Sequence, residues 1–141
     1  MTIELPPWLA VLVTLVVCGG ALWKGDWEER LTASVLLLTF AVTLLLRDMS
    51  WPRVQAAEFT SDFAGFAVLV AIALRSRKFW PMFAAAFELL AVMTHVAKTI
   101  DPELHQWAYL TAIIIWTYLI LIALGVGTWN AWRTRRLAPA S

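Results

Sequence analysis

The chain has 141 residues, of which 61% are hydrophobic and 15% charged, and its mean hydropathy is +0.73. A soluble domain would be about half apolar and about a quarter charged, so an ordinary water-soluble fold is excluded. The net charge of +1 supplies no field for nucleic acid, and a single cysteine excludes an internal disulfide and a cysteine-built metal centre.

The apolar residues form five long runs: 5–23, 27–46, 52–74, 79–96 and 107–129. Each has about the 17–25 residues a helix needs to cross a bilayer. No ten-residue alternation of polar and apolar appears, so helices rather than a barrel satisfy the backbone. The expectation is an all-α integral membrane bundle of five transmembrane helices, forming one domain over residues 1–141.

The N-terminus of the first run, Met1–Pro7, carries Glu4 and no basic residue, and this favours a retained span over a removed signal. Its Thr14 and Cys18 share a face with Ala10 and Ala21, and Cys18 reads as a packed thiol. The second run opens on Asp26 as a cap, with Glu28 and Glu29 in the first turn; Thr32, Thr39 and Thr43 line one side. The third opens on Ser50 and Pro52 and aligns Gln55, Glu58, Asp62, Gly65 and Leu69. The fourth has Pro81 in its first turn and Glu88 at its centre. For the fifth, Asp101-Pro102-Glu103 reads as cap, first-turn proline and first-turn acid. Tyr118 lies at its middle depth, Ala123, Gly127 and Ala131 form a small-residue stripe on the opposite face, and the tail from Thr134 is expected to fray.

Eight of the nine tryptophans lie at or near run ends, as an interfacial aromatic belt requires; Trp116 is internal. Lys24, Arg30, Arg75, Arg77, Lys78, Arg133, Arg135 and Arg136 fall on one side, against Arg47, Arg53 and Lys98 on the other. The richer side is expected in the cytoplasm, with the N-terminus outside, the C-terminus inside and the chain in the cell (inner) membrane.

Glu88 is the most informative residue. A charged group at mid-membrane costs about 2.5–3.5 kcal/mol on insertion scales, so a chain that keeps one there satisfies it or uses it. At about 100° per residue, Pro81, Ala84, Ala85, Ala91, Val92 and His95 share its face, and Phe79, Met82, Phe83, Leu89, Leu90 and Met93 lie opposite. Small residues suit helix contact and bulky ones suit lipid, so Glu88 is expected to face protein. His95 stands about 10 Å further out on the same stripe. Thr14, Thr39 and Tyr118 are its expected hydrogen-bond partners. Glu58, Asp62, His95 and His105 lie in the outer half, which points to a polar pocket open outward and sealed beneath.

No nucleophile–histidine–acid set, phosphate loop or histidine cluster appears, so no enzyme, cofactor or metal is expected. Two functions fit. In the first the chain is a non-catalytic accessory or assembly subunit of a larger membrane complex, packing against other subunits or itself through the Ala123, Gly127, Ala131 stripe. In the second it is a small transporter or ion-coupled protein. Glu88 then takes a proton or cation from outside, Asp62 and His95 line the approach, and Glu58, Tyr118 and Thr39 belong to the same polar site. Lipid is the surrounding partner in both.

Overall fold

The structure is a computed structural model and describes residues 6–139. It consists of five helices, α1 (Pro7–Lys24), α2 (Trp27–Leu45), α3 (Trp51–Arg75), α4 (Trp80–Ile100) and α5 (Gln106–Leu137). Short links make successive helices antiparallel neighbours. Each helix packs on the next, and α1 returns to α5, so the five close into a ring across which α2 also touches α5.

Three helices are long and apolar enough to cross a membrane: Pro52–Arg75, Trp80–Ile100 and Gln106–Leu137. The expected count of five is not reached on length and composition. Helix α1 is a shorter apolar helix, and α2 carries Glu28, Glu29 and Arg30 in its first turn.

Asp26 caps α2, and the Glu29 carboxylate accepts the Asp26 backbone N–H at 2.9 Å, which closes a capping box. Only glycine fits at Gly25, where a Cβ would run into the Ala21 carbonyl and the Glu29 Cβ; this lets α1 turn directly into α2. Ser50 holds the N-cap position of α3 without a side-chain cap bond, and Pro81 sits in the first turn of α4.

Two boundaries differ from the sequence expectation. Asp101-Pro102-Glu103 does not open α5. Asp101 is the C-cap of α4, its Oδ1 accepts the Glu103 N–H at 3.1 Å, and α5 begins only at Gln106. Lys98 closes this turn by donating to the carbonyls of Pro102 and Leu104. An aspartate can bond its own turn as readily as it caps a helix, and here the turn won. At the other end α5 runs to Leu137, so Thr134–Leu137 is helical rather than frayed. Residues 1–5, with Glu4 and the start of the expected first span, and residues 140 and 141 of the tail lie outside the described residues.

The apolar core sits at the arginine-rich end. Cys18 and Ala21 of α1, Ala33 of α2, Leu69 and Ile72 of α3, Trp80, Ala84 and Ala85 of α4, and Leu121, Ala123 and Leu124 of α5 pack together there. The buried residues of α4 are Trp80, Pro81, Ala84, Ala85, Glu88, Ala91, Val92 and His95, while the bulky residues of the opposite face are exposed. The stripe Ala123, Gly127, Ala131 is buried within the chain, and the Trp80 ring lies where a Gly127 Cβ would stand, 2.6 Å away.

Candidate functional site

The 21 residues of α4 turn Glu88 and His95 into the ring, two turns apart on one stripe. Helix α3, running antiparallel, brings Glu58 and Asp62 to the same side, and α5 brings Tyr109. Together they line or border a cavity of about 320 Å³ in the half of the bundle away from the apolar core. Thr14, Thr39, Thr43 and Thr117 complete its polar lining; Phe40, Ile113, Ile120 and Leu121 are among its apolar walls.

In the outer layer His95 is bonded at both ring nitrogens. His95 is 1% exposed, with Nε2 2.9 Å from Asp62 Oδ2 and Nδ1 2.7 Å from the Tyr109 hydroxyl. With Asp62 ionised, Nε2 carries the ring proton and donates to it, so Nδ1 accepts from the Tyr109 O–H. Tyr109 and Phe59 pack edge-on against the imidazole at 5.5 and 6.2 Å. These contacts fix the ring orientation and tautomer of His95.

Glu88 differs. It is 5% exposed and lines the cavity, yet among the described residues no side chain or backbone group donates a hydrogen bond to its carboxylate. Its Oε1 lies against Gly65, where a Cβ would come within 2.7 Å. Glycine at that position is what lets the carboxylate fit between α3 and α4. The expected partners do not serve. The Thr39 hydroxyl donates to the Val35 carbonyl of its own helix at 3.0 Å, and the Tyr118 hydroxyl is buried without a partner. Thr14 lines the cavity but makes no bond to Glu88. A threonine in a helix reaches its own preceding turn more easily than a neighbouring helix, which sequence position alone does not reveal.

Of the other predicted residues, Glu58 and Asp62 are half-buried at the cavity and His105 is exposed at the N-cap of α5. Tyr109 was not anticipated. One signal for it existed: His95 and Tyr109 are each seven positions from Pro102, at the centre of the α4–α5 link, so antiparallel packing sets them at one depth.

A second buried cluster was also missed. At the arginine-rich end the Lys78 ammonium lies 2.8 Å from Asp26 Oδ2, 3.3 Å from Glu28 Oε2 and 2.9 Å from Glu29 Oε1. Glu29, 0% exposed, also accepts the Trp80 indole N–H at 2.9 Å, and Glu28 accepts the Ser76 hydroxyl at 3.1 Å. Hydrogen bonding from Lys78 holds the Asp26 carboxyl below its usual value against a smaller effect of desolvation. Desolvation acts to lower Lys78, but bonds to Asp26 and Glu29 outweigh it and raise the ammonium above its usual value. The sequence reading assigned Trp80 to the interfacial belt and Lys78 to topology; the structure turns the indole inward and makes the lysine the hub of three acids.

Compared with protein-family models, curated proteins and solved structures, the chain matches none of them.

Proposed function

We propose that the protein is a five-span membrane protein whose ring interior binds a proton or a monovalent cation at Glu88. The approach runs from the outer face past Asp62, Glu58 and the His95–Tyr109 pair. The observation that carries this reading is the contrast between burial and bonding at Glu88: a carboxylate 5% exposed, lining a cavity, with no donor among the described residues. A carboxyl used only to glue helices would spend its oxygens on a neighbouring donor. One without a donor needs a proton or a cation supplied to it, because a bare charge at that depth is costly. Glu58 and Asp62 beside it add negative potential, which concentrates cations in the cavity.

Crossing by α1 and α2 belongs to this proposal. An 18-residue helix is about 27 Å long, close to the hydrocarbon thickness of about 30 Å. The acids that count against α2 are paired to Lys78, which removes much of their cost at the membrane edge. Orientation with the basic end in the cytoplasm of a cell (inner) membrane follows from the lysine and arginine asymmetry. The packing-subunit reading has one support fewer, since Trp80 of the same chain packs on Gly127 in the small-residue stripe that could receive a partner.

The test is titration of the carboxyl band by infrared difference spectroscopy, with vesicle uptake as a second measurement. Purified protein should show a protonated-carboxyl signal that responds to pH or to added sodium or potassium and that disappears in Glu88→Gln. Vesicles should take up protons or cations in a Glu88-dependent manner. A signal or uptake unchanged by Glu88→Gln, or no response to proton, sodium or potassium, overturns the proposal.

A further inference from the structure

The seam between α1 and α5 opens on the outside of the ring into a groove of about 210 Å³ near the arginine-rich end. Its floor is Gly20 and Gly125, and a Cβ at either would meet nothing within 4 Å. Val16, Trp129 and Trp132 form its walls and Lys24 stands at its mouth. The Lys24 ammonium lies 5.0 Å from the Trp132 ring centre and the Arg136 guanidinium 4.4 Å from it. Two cations therefore gather on one indole, and among the described residues neither is ion-paired to an acid. The ring offsets part of their mutual repulsion. An anion held beside them would offset the rest. Trp129 and Trp132 mark headgroup depth in the membrane reading, so an anion held here would sit directly above an apolar slot.

The geometry points to a bound anionic phospholipid at this seam, its phosphate drawn by the Lys24 and Arg136 charges at Trp132 and one acyl chain lying over Gly20 and Gly125. The charge and the slot fit the two halves of that one molecule: a free phosphate leaves the slot unused, and a neutral lipid leaves the cations unpaired. The inference rests on the membrane reading but not on the Glu88 cavity, which lies inside the ring. Glu88→Gln should leave lipid binding unchanged, and loss of lipid binding should leave the carboxyl titration unchanged, so the two proposals fail separately.

Native mass spectrometry of the full chain in mild detergent tests it, with dioleoyl phosphatidylglycerol, dioleoyl phosphatidylcholine and glycerol 3-phosphate as probes. Phosphatidylglycerol should be retained in preference to phosphatidylcholine, and glycerol 3-phosphate should not be retained. Lys24→Ala and Arg136→Ala should each lower phosphatidylglycerol occupancy about fivefold, as expected for one basic residue at a membrane surface, while Lys24→Arg retains it. Gly125→Leu keeps both cations and fills the slot, and should lower occupancy at least as much. Equal retention of phosphatidylcholine overturns the inference, as does retention of glycerol 3-phosphate. Occupancy unaffected by Gly125→Leu also overturns it, because surface attraction alone would then explain the binding. Should Lys24→Ala fail to accumulate, Arg136→Ala and Gly125→Leu decide the matter.

Discussion

Glu29 and Glu88 are carboxylates buried in the same bundle, at 0% and 5% exposure, and their surroundings are opposite. Around Glu29 the fold supplies an ammonium, an indole N–H and a backbone N–H. Around Glu88 it supplies a cavity, a glycine and two more acids. A buried acid whose oxygens are spoken for is held by the protein and in turn holds helices together. One whose oxygens face a cavity is available to something that arrives. Burial does not distinguish the two; the census of donors does.

Breaking the satisfied cluster should have the largest effect on stability. Lys78→Ala leaves Glu28 and Glu29 buried without their cation, and should cost about 3–5 kcal/mol, read as a fall in melting temperature in detergent. Gly127→Leu should come next. Its side chain would enter the space of the Trp80 ring and displace the indole from Glu29, at a cost of about 1–3 kcal/mol by thermal or denaturant unfolding. Tyr109→Phe removes the hydrogen bond to His95 Nδ1 without changing shape, and should cost about 1 kcal/mol; the imidazole NMR signals should show the altered tautomer balance. Glu88→Gln should barely move the melting temperature, since no protein bond is lost, while removing the carboxyl response. A large destabilisation by Glu88→Gln, or none by Lys78→Ala, would erase the contrast between the two acids.

The smallest effect is a pH dependence with a defined sign. Asp26 is held below its usual 3.8, so its contribution to stability is present above about that pH and is lost as pH falls through the lowered value. Lys78 is held above its usual 10.5, so its contribution is present below about that pH and is lost as pH rises through the raised value. Between these limits the Lys78–Asp26 pair should not respond to pH. Melting followed in buffers from strongly acidic to strongly alkaline conditions checks this, and Lys78→Ala should flatten both flanks.

Sequence alone determined the helices, the apolar runs and the inward face of α4. Helical periodicity is local, so counting at 100° per residue separates Ala84, Ala85, Ala91 and His95 from Phe83, Leu90 and Met93 without knowledge of any neighbour. It also put Glu58, Asp62 and His95 in the outer half of the chain's depth, above Glu88 at the middle. Tertiary structure alone decided which groups meet. The closure of α1 on α5, the choice of Tyr109 rather than Tyr118 as the partner of the site, the use of Gly127 to seat Trp80, and the capture of three acids by Lys78 all depend on the order and rotation of the helices. Those follow from packing between residues far apart in sequence, which no single-helix pattern contains.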